Sequence, residues 1–356
     1  MKFIHCADLH LDSKMSANLD KFKAKERRME ILHTFERMVD YAEMNDIRGI
    51  LIAGDMFDKK NITAATKNAV LFQIDNHPDI TFYYLNGNHD NDNFLASLDV
   101  IPENLKMFGS TWTSYELGKV VISGIDLSVE NTDFAHATLM LDVDKFNIVM
   151  LHGQEGELIN LRALKNKGID YLALGHIHAR KTEQLDARTT YCYPGCLEGR
   201  GFDECGEHGF VLLDINEEDG SYSHEFVPFA KRKLYAVSVD VTDCQTTSEM
   251  VVKTASALEE ARCDANALVK IVLTGALDVE CEKDVDYILT CFKSRYYFVK
   301  IYDETTLKIN VEDYMLDVSL KGEYVRMIMQ DAALSEEDKA IIIRYGLQVI
   351  AGEEVQ

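Results

Sequence analysis

Five short stretches of this 356-residue sequence carry the residue types that bind metal ions. Each stretch stands where an apolar run ends, and seven side chains with nitrogen or oxygen ligand atoms fall in them: Asp8, His10, Asp55, Asn88, His152, His176 and His178. Seven such ligands are too many for one ion and suit two ions that share a carboxylate. Two ions about 3.5–4 Å apart form the arrangement used for phosphoester displacement. The sequence therefore predicts a two-metal phosphoesterase site.

The residue types also predict how such a site would work. Asp8 and Asp55 would neutralise half of the charge of two divalent ions, and the remaining charge would lower the pKa of a shared water and attract a phosphate. His89 is the candidate proton donor to the leaving group, because imidazole titrates near neutral pH. Imidazole and carboxylate ligands together suit manganese, iron or zinc.

Two more aspartates stand close to the predicted ligands. Asp58 ends the stretch Gly-Asp-Met-Phe-Asp at 54–58, where it could accept a hydrogen bond beside the ligands or cap its loop, and we favour the first role. Asp90 ends the stretch Gly-Asn-His-Asp at 87–90, and we assign it the same supporting role. Gly87 would allow the sharp turn that this stretch needs.

The elements that position these residues follow from the apolar pattern. In the first part of the chain, strands are predicted at 2–6, 48–53, 81–85, 119–125, 146–151, 171–174, 193–195 and 209–214, with helices at 26–45, 64–76 and 158–167. Alternation of strands and helices predicts parallel pairing, with ligands at the carboxyl ends of the strands. Because strand side chains alternate, we expect Asp8 and His10 on one side of the backbone, and likewise His176 and His178.

Three regions are predicted along the chain. The ligand-type residues all fall in a first domain, 1–228. A small α+β unit follows at 229–310, with strands at 234–241, 268–273 and 296–302 and helices at 248–261 and 283–292. The rest, 311–356, has an acidic, helical pattern, which indicates either a packed helix pair or a partner-binding segment.

Composition narrows the setting. No run approaches the length of a membrane-spanning helix, and the chain starts directly in a strand, so we expect neither a membrane segment nor a signal peptide. Eight scattered cysteines favour reduced thiols in a cytoplasm. Three of them, together with a histidine, are of types that could bind zinc, but their spacing fits no compact zinc site and buried cysteine is favoured: Cys192, Cys196, Cys205 and His208.

The order of the motifs, D-x-H, G-D-x-x-D, G-N-H-D, H-G and G-H-x-H, resembles the calcineurin-like metallophosphoesterase superfamily over about residues 1–215. The resemblance implies a four-layer α/β/β/α sandwich with His89 as the catalytic histidine. It also implies two ligand sets that share one aspartate: Asp8, His10, Asp55 and His178 for one metal, and Asp55, Asn88, His152 and His176 for the other.

A narrower resemblance comes from residues 193–199, 201–204 and 206–210, which are similar to the closing segment of SbcD-type DNA repair nucleases. Residues 320–326 are similar to the C-terminal helices of those proteins, which engage an SMC-like ATPase subunit. The resemblance implies a manganese-dependent exonuclease or endonuclease subunit that acts on DNA ends as a homodimer, with 229–310 as its capping domain. The start, Asp-Leu-His-Leu-Asp at 8–12, is closer to the YhaO-like branch, which leaves the partner and the cleavage polarity open.

A net charge of -23 argues against a generally basic nucleic-acid binder, so DNA binding would need local cations. Basic residues near the ligand motifs are predicted to contact the DNA backbone as a rim around the cleft: Lys14, Lys21, Lys23, Lys25, Arg27, Arg28, Arg180 and Lys181, with Lys231, Arg232 and Lys233 at the domain junction. Such residues more often form a solvated face, and it is their proximity to the ligand motifs that favours the rim.

Two other functions stay open. The same site could serve a small-molecule or cyclic-nucleotide phosphodiesterase, although a separate cap and a helical tail favour DNA. The fold could also be a non-catalytic scaffold for the ATPase. A scaffold has no chemical need for His89 or for the full ligand set, so the sequence favours the enzyme.

Overall fold

A computed structural model of the chain describes residues 1–15, 19–58, 62–90, 100–278, 281–308 and 314–351. It divides into two compact units, 1–233 and 234–356. The predicted boundaries at 228 and 310 stay predictions.

The first unit alternates strands and helices along much of its length. Its elements in chain order are β1 (Lys2–Cys6), α1 (Lys21–Met44), β2 (Gly49–Ala53), α2 (Ala64–Asn76), β3 (Thr81–Leu85), β4 (Leu105–Met107), β5 (Thr113–Leu117), β6 (Val120–Gly124), α3 (Thr132–Thr138), β7 (Phe146–His152), α4 (Leu161–Leu164), β8 (Tyr171–Gly175), β9 (Lys181–Gln184), β10 (Thr190–Tyr193), β11 (Gly209–Ile215) and β12 (Tyr222–Pro228).

The strands described in this unit form two six-stranded sheets, with the orders β12-β11-β1-β2-β3-β4 and β5-β6-β7-β8-β10-β9. Strands β1 to β4 are parallel, as are β6, β7, β8 and β10, which confirms the parallel pairing expected from the alternation. Strands β5, β9, β11 and β12 pair antiparallel with their neighbours. The carboxyl ends of β1, β2 and β3 therefore lie side by side, as do those of β7 and β8.

Three apolar cores show how the layers stack. One core joins Leu51 of the first sheet to Met150 of the second, so the two sheets pack face to face. A second core joins Phe35 of α1 to the outer face of the first sheet, and a third joins Leu164 of α4 to the outer face of the second. Sheets covered on both faces explain why β2, β7 and β8 are buried along their whole length. The predicted four-layer α/β/β/α sandwich is confirmed.

In the first unit, α3 was not predicted, and the bounds of two other helices differ from the prediction. Helix α1 begins at Lys21 rather than 26, because the Asp20 carboxylate caps it by accepting the N–H groups of Phe22 and Lys23. The helix predicted at 158–167 is reduced to the single turn of α4. It starts at the Asn160 cap and is followed by Asn166, whose φ is +58°.

Strand bounds differ more often. The strand predicted at 193–195 lies at Thr190–Tyr193, and four strands of the first unit lacked a clear apolar signal: β4, β5, β9 and β12. Strand β5 alternates between half-buried and exposed residues, and β9 is mostly exposed. Edge strands of this kind carry little of the hydrophobic pattern from which strands are predicted.

The second unit has its own core. Its elements are β13 (Leu234–Asp240), α5 (Thr247–Glu260), β14 (Leu268–Thr274), β15 (Ala276–Asp278), α6 (Val285–Phe292), β16 (Phe298–Asp303), β17 (Thr306–Lys308), α7 (Leu320–Gln330) and α8 (Glu336–Ala351). Strands β13, β14 and β16 form a parallel sheet, and β15 pairs with β17. Helices α5 and α6 contribute Leu258 and Phe292 to the core, while α7 packs on α8 through Val325, Ile343 and Leu347.

Among the described residues, no helix has the length and apolar character that crossing a bilayer requires.

Candidate metal centre

The ends of five strands bring seven ligand-type side chains together, and we call these residues the ligand cluster: Asp8, His10, Asp55, Asn88, His152, His176 and His178. Strands β1, β2 and β3 of the first sheet lead to Asp8, Asp55 and Asn88, and strands β7 and β8 of the second sheet lead to His152 and His176. Main-chain contacts hold the loops together, since Asp8 N donates to Gly54 O at 3.1 Å. Both sheets therefore build one cluster at their carboxyl ends.

One part of the cluster consists of Asp8, His10 and His178, whose ligand atoms all lie within 4.8 Å of one another. The Nε2 atoms of His10 and His178 are 3.2 Å apart, and His178 Nε2 is 4.0 Å from Asp8 Oδ1. Asp8 and His10 are buried. These atoms face a common point, which we call the first position.

The other part consists of Asp55, His152 and His176, again with ligand atoms within 4.8 Å of one another. Asn88 completes it, because its Oδ1 lies 3.1 Å from His152 Nε2 and 3.1 Å from His176 Nδ1. We call this the second position. Asp55 Oδ2 is 3.4 Å from His152 Nε2 and 3.9 Å from His10 Nε2, so one carboxylate lies between the two positions. The grouping is the same as the division that the superfamily resemblance implies.

Glycines at two strand ends make this packing possible. A Cβ atom on Gly54, whose φ is +89°, would lie 2.1 Å from His152 Nδ1. A Cβ atom on Gly87 would lie 2.1 Å from Asp55 Oδ1. Any larger residue at either place would displace a ligand, so the glycines of the G-D and G-N-H motifs are required by close approach.

The ligands converge by a different route from the one expected. The φ angles of Asp8, His10, Asp55 and His176 are +52°, +46°, +51° and +100°, so these residues are not extended. The prediction that strand alternation aligns Asp8 with His10, and His176 with His178, is therefore wrong. The first pair converges because the backbone turns after β1, and the two histidines of the second pair reach different positions.

The two supporting aspartates make different contacts. Asp58 Oδ1 lies 3.4 Å from His10 Nδ1, on the side of the ring away from the first position. The Asp90 carboxylate accepts main-chain N–H groups from Met56, Phe57 and Gly87 at 2.9–3.2 Å. Asp90 thus joins the loop after β2 to the loop after β3, which hold Asp55 and Asn88.

His89 lies at the solvent edge of the cluster. Its imidazole is exposed and meets the His10 ring edge to face, with ring centroids 5.1 Å apart. Its main-chain N–H donates to Asp55 Oδ1 at 2.8 Å. An exposed imidazole fixed beside the ligands can reach a substrate group that arrives from solvent.

Sequence reasoning missed two residues that adjoin the cluster. Glu204 Oε1 lies 2.7 Å from His178 Nδ1, and Arg200 Nη2 donates to the same carboxylate oxygen at 2.8 Å. Burial alone would raise the pKa of Glu204, but His178 and Arg200 hold it well below its usual range. The stretch 201–204 contributes to the prediction only through its resemblance to SbcD-type nucleases. A carboxylate 26 positions after His178 carries no spacing signal of its own.

Burial and close charge shift the pKa values inside the cluster. Burial raises the pKa of Asp8 to about 6, against the opposite influence of His152 and His178. Burial also acts to raise the pKa of Asp55, but the hydrogen bond from His152 brings it down to about 2. Burial acts to lower the pKa of His152, yet Asp55 and Asp8 bring it up to about 9. These shifts favour a proton on His152 beside an ionised Asp55, and a metal bound by His152 would displace that proton.

The donor set fits divalent transition metals. Each position offers imidazole nitrogens with at least one carboxylate oxygen, the mixture that suits manganese, iron or zinc. Main-chain contacts, glycines and supporting carboxylates fix these donors before any ion arrives.

The predicted basic rim needs one correction in α1. Arg27 is fully buried and bonded to Glu30 and Glu198, so the prediction that it contacts a DNA backbone is wrong. The same holds for Arg232, which is 8% exposed and pairs with Glu30. Glu30 lies only three positions after Arg27, but Glu198 lies 171 positions from Arg27 and Glu30 lies 202 positions from Arg232, too far for the sequence to reveal these pairs.

The other predicted rim residues are closer to solvent. Lys14, Lys21, Lys25 and Arg180 are exposed, Lys23 and Arg28 are half-buried, and Arg28 Nη1 lies 4.0 Å from Asp12 Oδ1. Three residues also have partners nearby: Arg180 lies over the ring of Phe226, Lys181 pairs with Glu155, and Lys233 pairs with Glu207. Lys231 pairs with Glu30 at 3.0 Å.

The eight cysteines lie in described ranges, and none of them forms a disulfide. Cys196 Sγ is 3.2 Å from His208 Nδ1, while Cys205 is exposed and Cys192 contacts Thr182. The structure does not bring these four residues into a common ligand group among the residues it describes.

The fold and the cluster define a class of protein. Four layers with nitrogen and oxygen ligands at the carboxyl ends of strands from both sheets are the architecture of a metal-dependent phosphoesterase. Residues 1–218 match the calcineurin-like phosphoesterase superfamily domain, and the chain belongs to this superfamily. Family members use a two-metal site, and this chain has the residues for one.

Named relatives extend the likeness beyond the family domain. The uncharacterized metallophosphoesterase YhaO of Bacillus subtilis is 28% identical over 299 residues, which are 77% of this chain and 72% of YhaO. The DNA double-strand break repair protein Mre11 of Aeropyrum pernix is 27% identical over 271 residues, 68% of this chain and 64% of that protein. Mre11 of Sulfolobus acidocaldarius is 21% identical over 378 residues, 96% of this chain and 94% of its own length.

Proposed function

We propose that this chain is a two-metal phosphodiesterase that cleaves DNA, with the ligand cluster as its active site. The observation that carries the proposal is the pair of ligand positions that share Asp55, with Nε2 or Nδ1 atoms of four histidines facing them. Two divalent ions bound there would attract a phosphate, activate a water and neutralise the charge that develops on phosphorus. Manganese is the proposed metal, with iron and zinc as the other candidates.

The chain's own residues have distinct roles in this proposal. Asp8, His10, Asp55 and His178 hold the first ion, and Asp55, Asn88, His152 and His176 hold the second. Because Asp55 lies between the positions, it fixes their separation. His89 is exposed at the edge of the cluster, where its imidazole can donate a proton to the leaving alkoxide. Asp90 and Asp58 keep the loops and the His10 ring in place.

DNA is the proposed substrate for two reasons. Two relatives that match most of this chain are named DNA double-strand break repair proteins. The chain also continues past the family domain into a second unit with a packed helix pair, which a small-substrate enzyme has less need of. In this proposal residues 229–310 cap the nuclease domain, residues 311–356 bind an SMC-like ATPase, and the chain acts on DNA ends as a homodimer.

The test compares wild type with His89→Ala and Asp55→Ala in the presence of manganese. Two exposed residues of α1 supply matched controls, His33→Ala and Asp40→Ala. Substrates are linear double-stranded DNA, single-stranded DNA and bis-p-nitrophenyl phosphate. We expect His89→Ala to lose about 10²–10⁴-fold in rate, the range for a positioned proton donor, while metal binding persists. Asp55→Ala should lose both metal and activity, and the controls should match wild type.

Two other outcomes would favour a different function. Turnover of the small diester with DNA untouched, even with the ATPase present, would assign a small-molecule phosphodiesterase. No turnover of any substrate by a chain that still binds two ions would favour the scaffold.

A further inference from the structure

The two histidines of the first position each have a carboxylate behind the ring. His178 Nδ1 lies 2.7 Å from Glu204 Oε1, and His10 Nδ1 lies 3.4 Å from Asp58 Oδ1. In both rings the other nitrogen, Nε2, faces the first position, and these two atoms are 3.2 Å apart. An Nδ1–H group directed at a carboxylate, as in His178, leaves the Nε2 lone pair free for a metal and makes it more basic. His10 Nδ1 has no hydrogen-bond partner among the described residues, so Asp58 supports that ring by its charge.

Arg200 joins these two carboxylates. Its Nη1 lies 3.3 Å from Asp58 Oδ1, and its Nη2 donates to Glu204 Oε1 at 2.8 Å. The Arg200 main-chain N–H donates to the second oxygen of Glu204 at 2.7 Å. His178 Nδ1 is also 3.1 Å from Nη2, but the ionised Glu204 carboxylate at 2.7 Å can only accept. We therefore assign the Nδ1 hydrogen to the contact with Glu204, which leaves the guanidinium to orient the carboxylate. Since arginine stays charged, it keeps both carboxylates available as acceptors.

The loop that carries these residues is tied to the same histidine through the main chain. Cys196 N donates to His178 O at 3.2 Å, and a Cβ atom on Gly195 would lie 2.7 Å from that oxygen. Glu204 N donates to Gly201 O at 2.9 Å, which turns the Glu204 side chain back toward the ring. Both ends of the contact between Glu204 and His178 are therefore fixed.

The second position is supported differently. His152 Nδ1 lies 2.9 Å from the main-chain oxygen of Ala53, a neutral acceptor that no side-chain substitution removes. His176 faces the position through Nδ1 itself, 3.1 Å from Asn88 Oδ1. The contact through Arg200 and Glu204 therefore distinguishes the two positions.

We propose that Arg200 and Glu204 are positioning residues that set the metal affinity of the first position and leave the second unchanged. This inference rests on the proposed two-metal function. Supporting residues of this kind change metal affinity by about 10–100-fold when they are removed. The selectivity follows from geometry, because the contacts described for these residues lead to the cluster through His178 and Asp58, both on the side of the first position.

The test measures metal binding directly. Manganese is titrated calorimetrically into metal-free wild type, Glu204→Ala, Arg200→Ala, Glu204→Gln and Arg200→Lys, and bound ions per chain are counted by elemental analysis. We expect two ions on wild type, with one of the two weakened by about 10–100-fold in the alanine variants. Arg200→Lys should recover part of the loss, because it keeps a donor and the charge. Glu207→Gln and Arg48→Ala change exposed residues and serve as matched controls.

A second background identifies which ion is affected. In His178→Ala, where the first position has lost a ligand, adding Glu204→Ala should change manganese binding no further. In His176→Ala, adding Glu204→Ala should weaken the ion that remains. Equal weakening of both ions, or unchanged affinities in folded variants, would overturn the inference and leave the proposed function intact. Fewer than two ions on wild type would instead overturn the proposed function, and this inference with it.

Discussion

Two of the places where the first unit buries charge differ in how that charge is balanced. The ligand cluster holds two carboxylates and four imidazoles whose ligand atoms face one another, an arrangement completed by added cations. The second place, which we call the arginine–glutamate cluster, consists of Arg27, Glu30, Glu198 and Arg232.

The arginine–glutamate cluster supplies its own cations. Arg27 Nη1 is 2.6 Å from Glu30 Oε2, and Arg232 Nη2 is 2.6 Å from Glu30 Oε1. Glu198 accepts from Arg27 and also from Thr34 Oγ1 at 2.7 Å. Two guanidinium groups balance two carboxylates. Buried charge therefore indicates a ligand site only where the side chains of the protein do not balance that charge themselves.

The largest effect is expected from breaking the arginine–glutamate cluster. Glu30→Ala would leave Arg27 and Arg232 buried beside each other without their shared carboxylate. Removing one partner of a buried ion pair costs about 3–5 kcal/mol. Urea denaturation should show this loss, whereas Glu43→Ala, at an exposed position of the same helix, should stay within about 0.5 kcal/mol. Equal, small losses in both variants would mean that the cluster is not coupled as described.

The pH dependence of unfolding tests the same ion pairs of Glu30. Burial acts to raise the pKa of Glu30, but Arg232, Arg27 and Lys231 lower it from 4.5 to about 2. A lowered pKa stabilises the fold above pH 4.5, and this contribution is lost as the pH falls toward 2. The shift corresponds to about 3 kcal/mol. The free energy of unfolding should fall more steeply over this window in wild type than in Glu30→Gln, and parallel curves would contradict the assignment.

The ligand cluster should respond to metal instead. Manganese at about 100 times its dissociation constant should stabilise wild type by about 2.7 kcal/mol, because only the folded chain presents the ligands together. A chelator should reverse the shift. Asp55→Ala should show no such stabilisation, and Asp40→Ala should behave as wild type. If manganese raised the melting temperature of Asp55→Ala as much as that of wild type, the stabilising ion would bind outside this cluster.

The smallest effect concerns the surface. If DNA is the substrate, exchanging Lys21 and Lys25 for glutamate should weaken DNA binding without changing stability, since both side chains are exposed. Each lost phosphate contact lowers the slope of log affinity against log salt by about 0.9, so a decrease of up to about 2 is expected. If the salt slope does not change, Lys21 and Lys25 do not contact DNA phosphates. Arg27→Ala, by contrast, should destabilise the fold, because Arg27 is buried and paired with Glu30 and Glu198.

The sequence was sufficient where a local pattern carries the information. Apolar runs followed by ligand-type residues gave the parallel strands of both sheets, and the order of the motifs gave the family. The candidate ligands could be named because each strand end carries its own motif, and the structure brings these side chains together. The backbone conformation of these residues could not be predicted, since nothing in Asp-Leu-His at 8–10 indicates that two of the residues have a positive φ.

The sequence was insufficient where partners are far apart. Arg27 stands in a basic stretch and looks like a surface residue, but its carboxylate partner Glu198 lies 171 positions away. Glu204 supports His178 across 26 positions, within a loop whose path depends on main-chain contacts. Exposed edge strands such as β5 carry too little apolar pattern to stand out. In each case the missing information is a tertiary contact rather than a local preference.

Four residues combine a left-handed φ angle with a side chain of the ligand cluster: Asp8, His10, Asp55 and His176. At these residues the side chain proposed to bind metal requires a backbone conformation that lowers the stability of the fold. Such a conformation costs a non-glycine residue free energy, of order 1 kcal/mol or more, and glycine adopts it readily. The substitution that relaxes the backbone most at each of these positions is therefore one that deletes a ligand. Engineering this protein for heat resistance by relieving unfavourable backbone angles would remove side chains from its candidate metal centre.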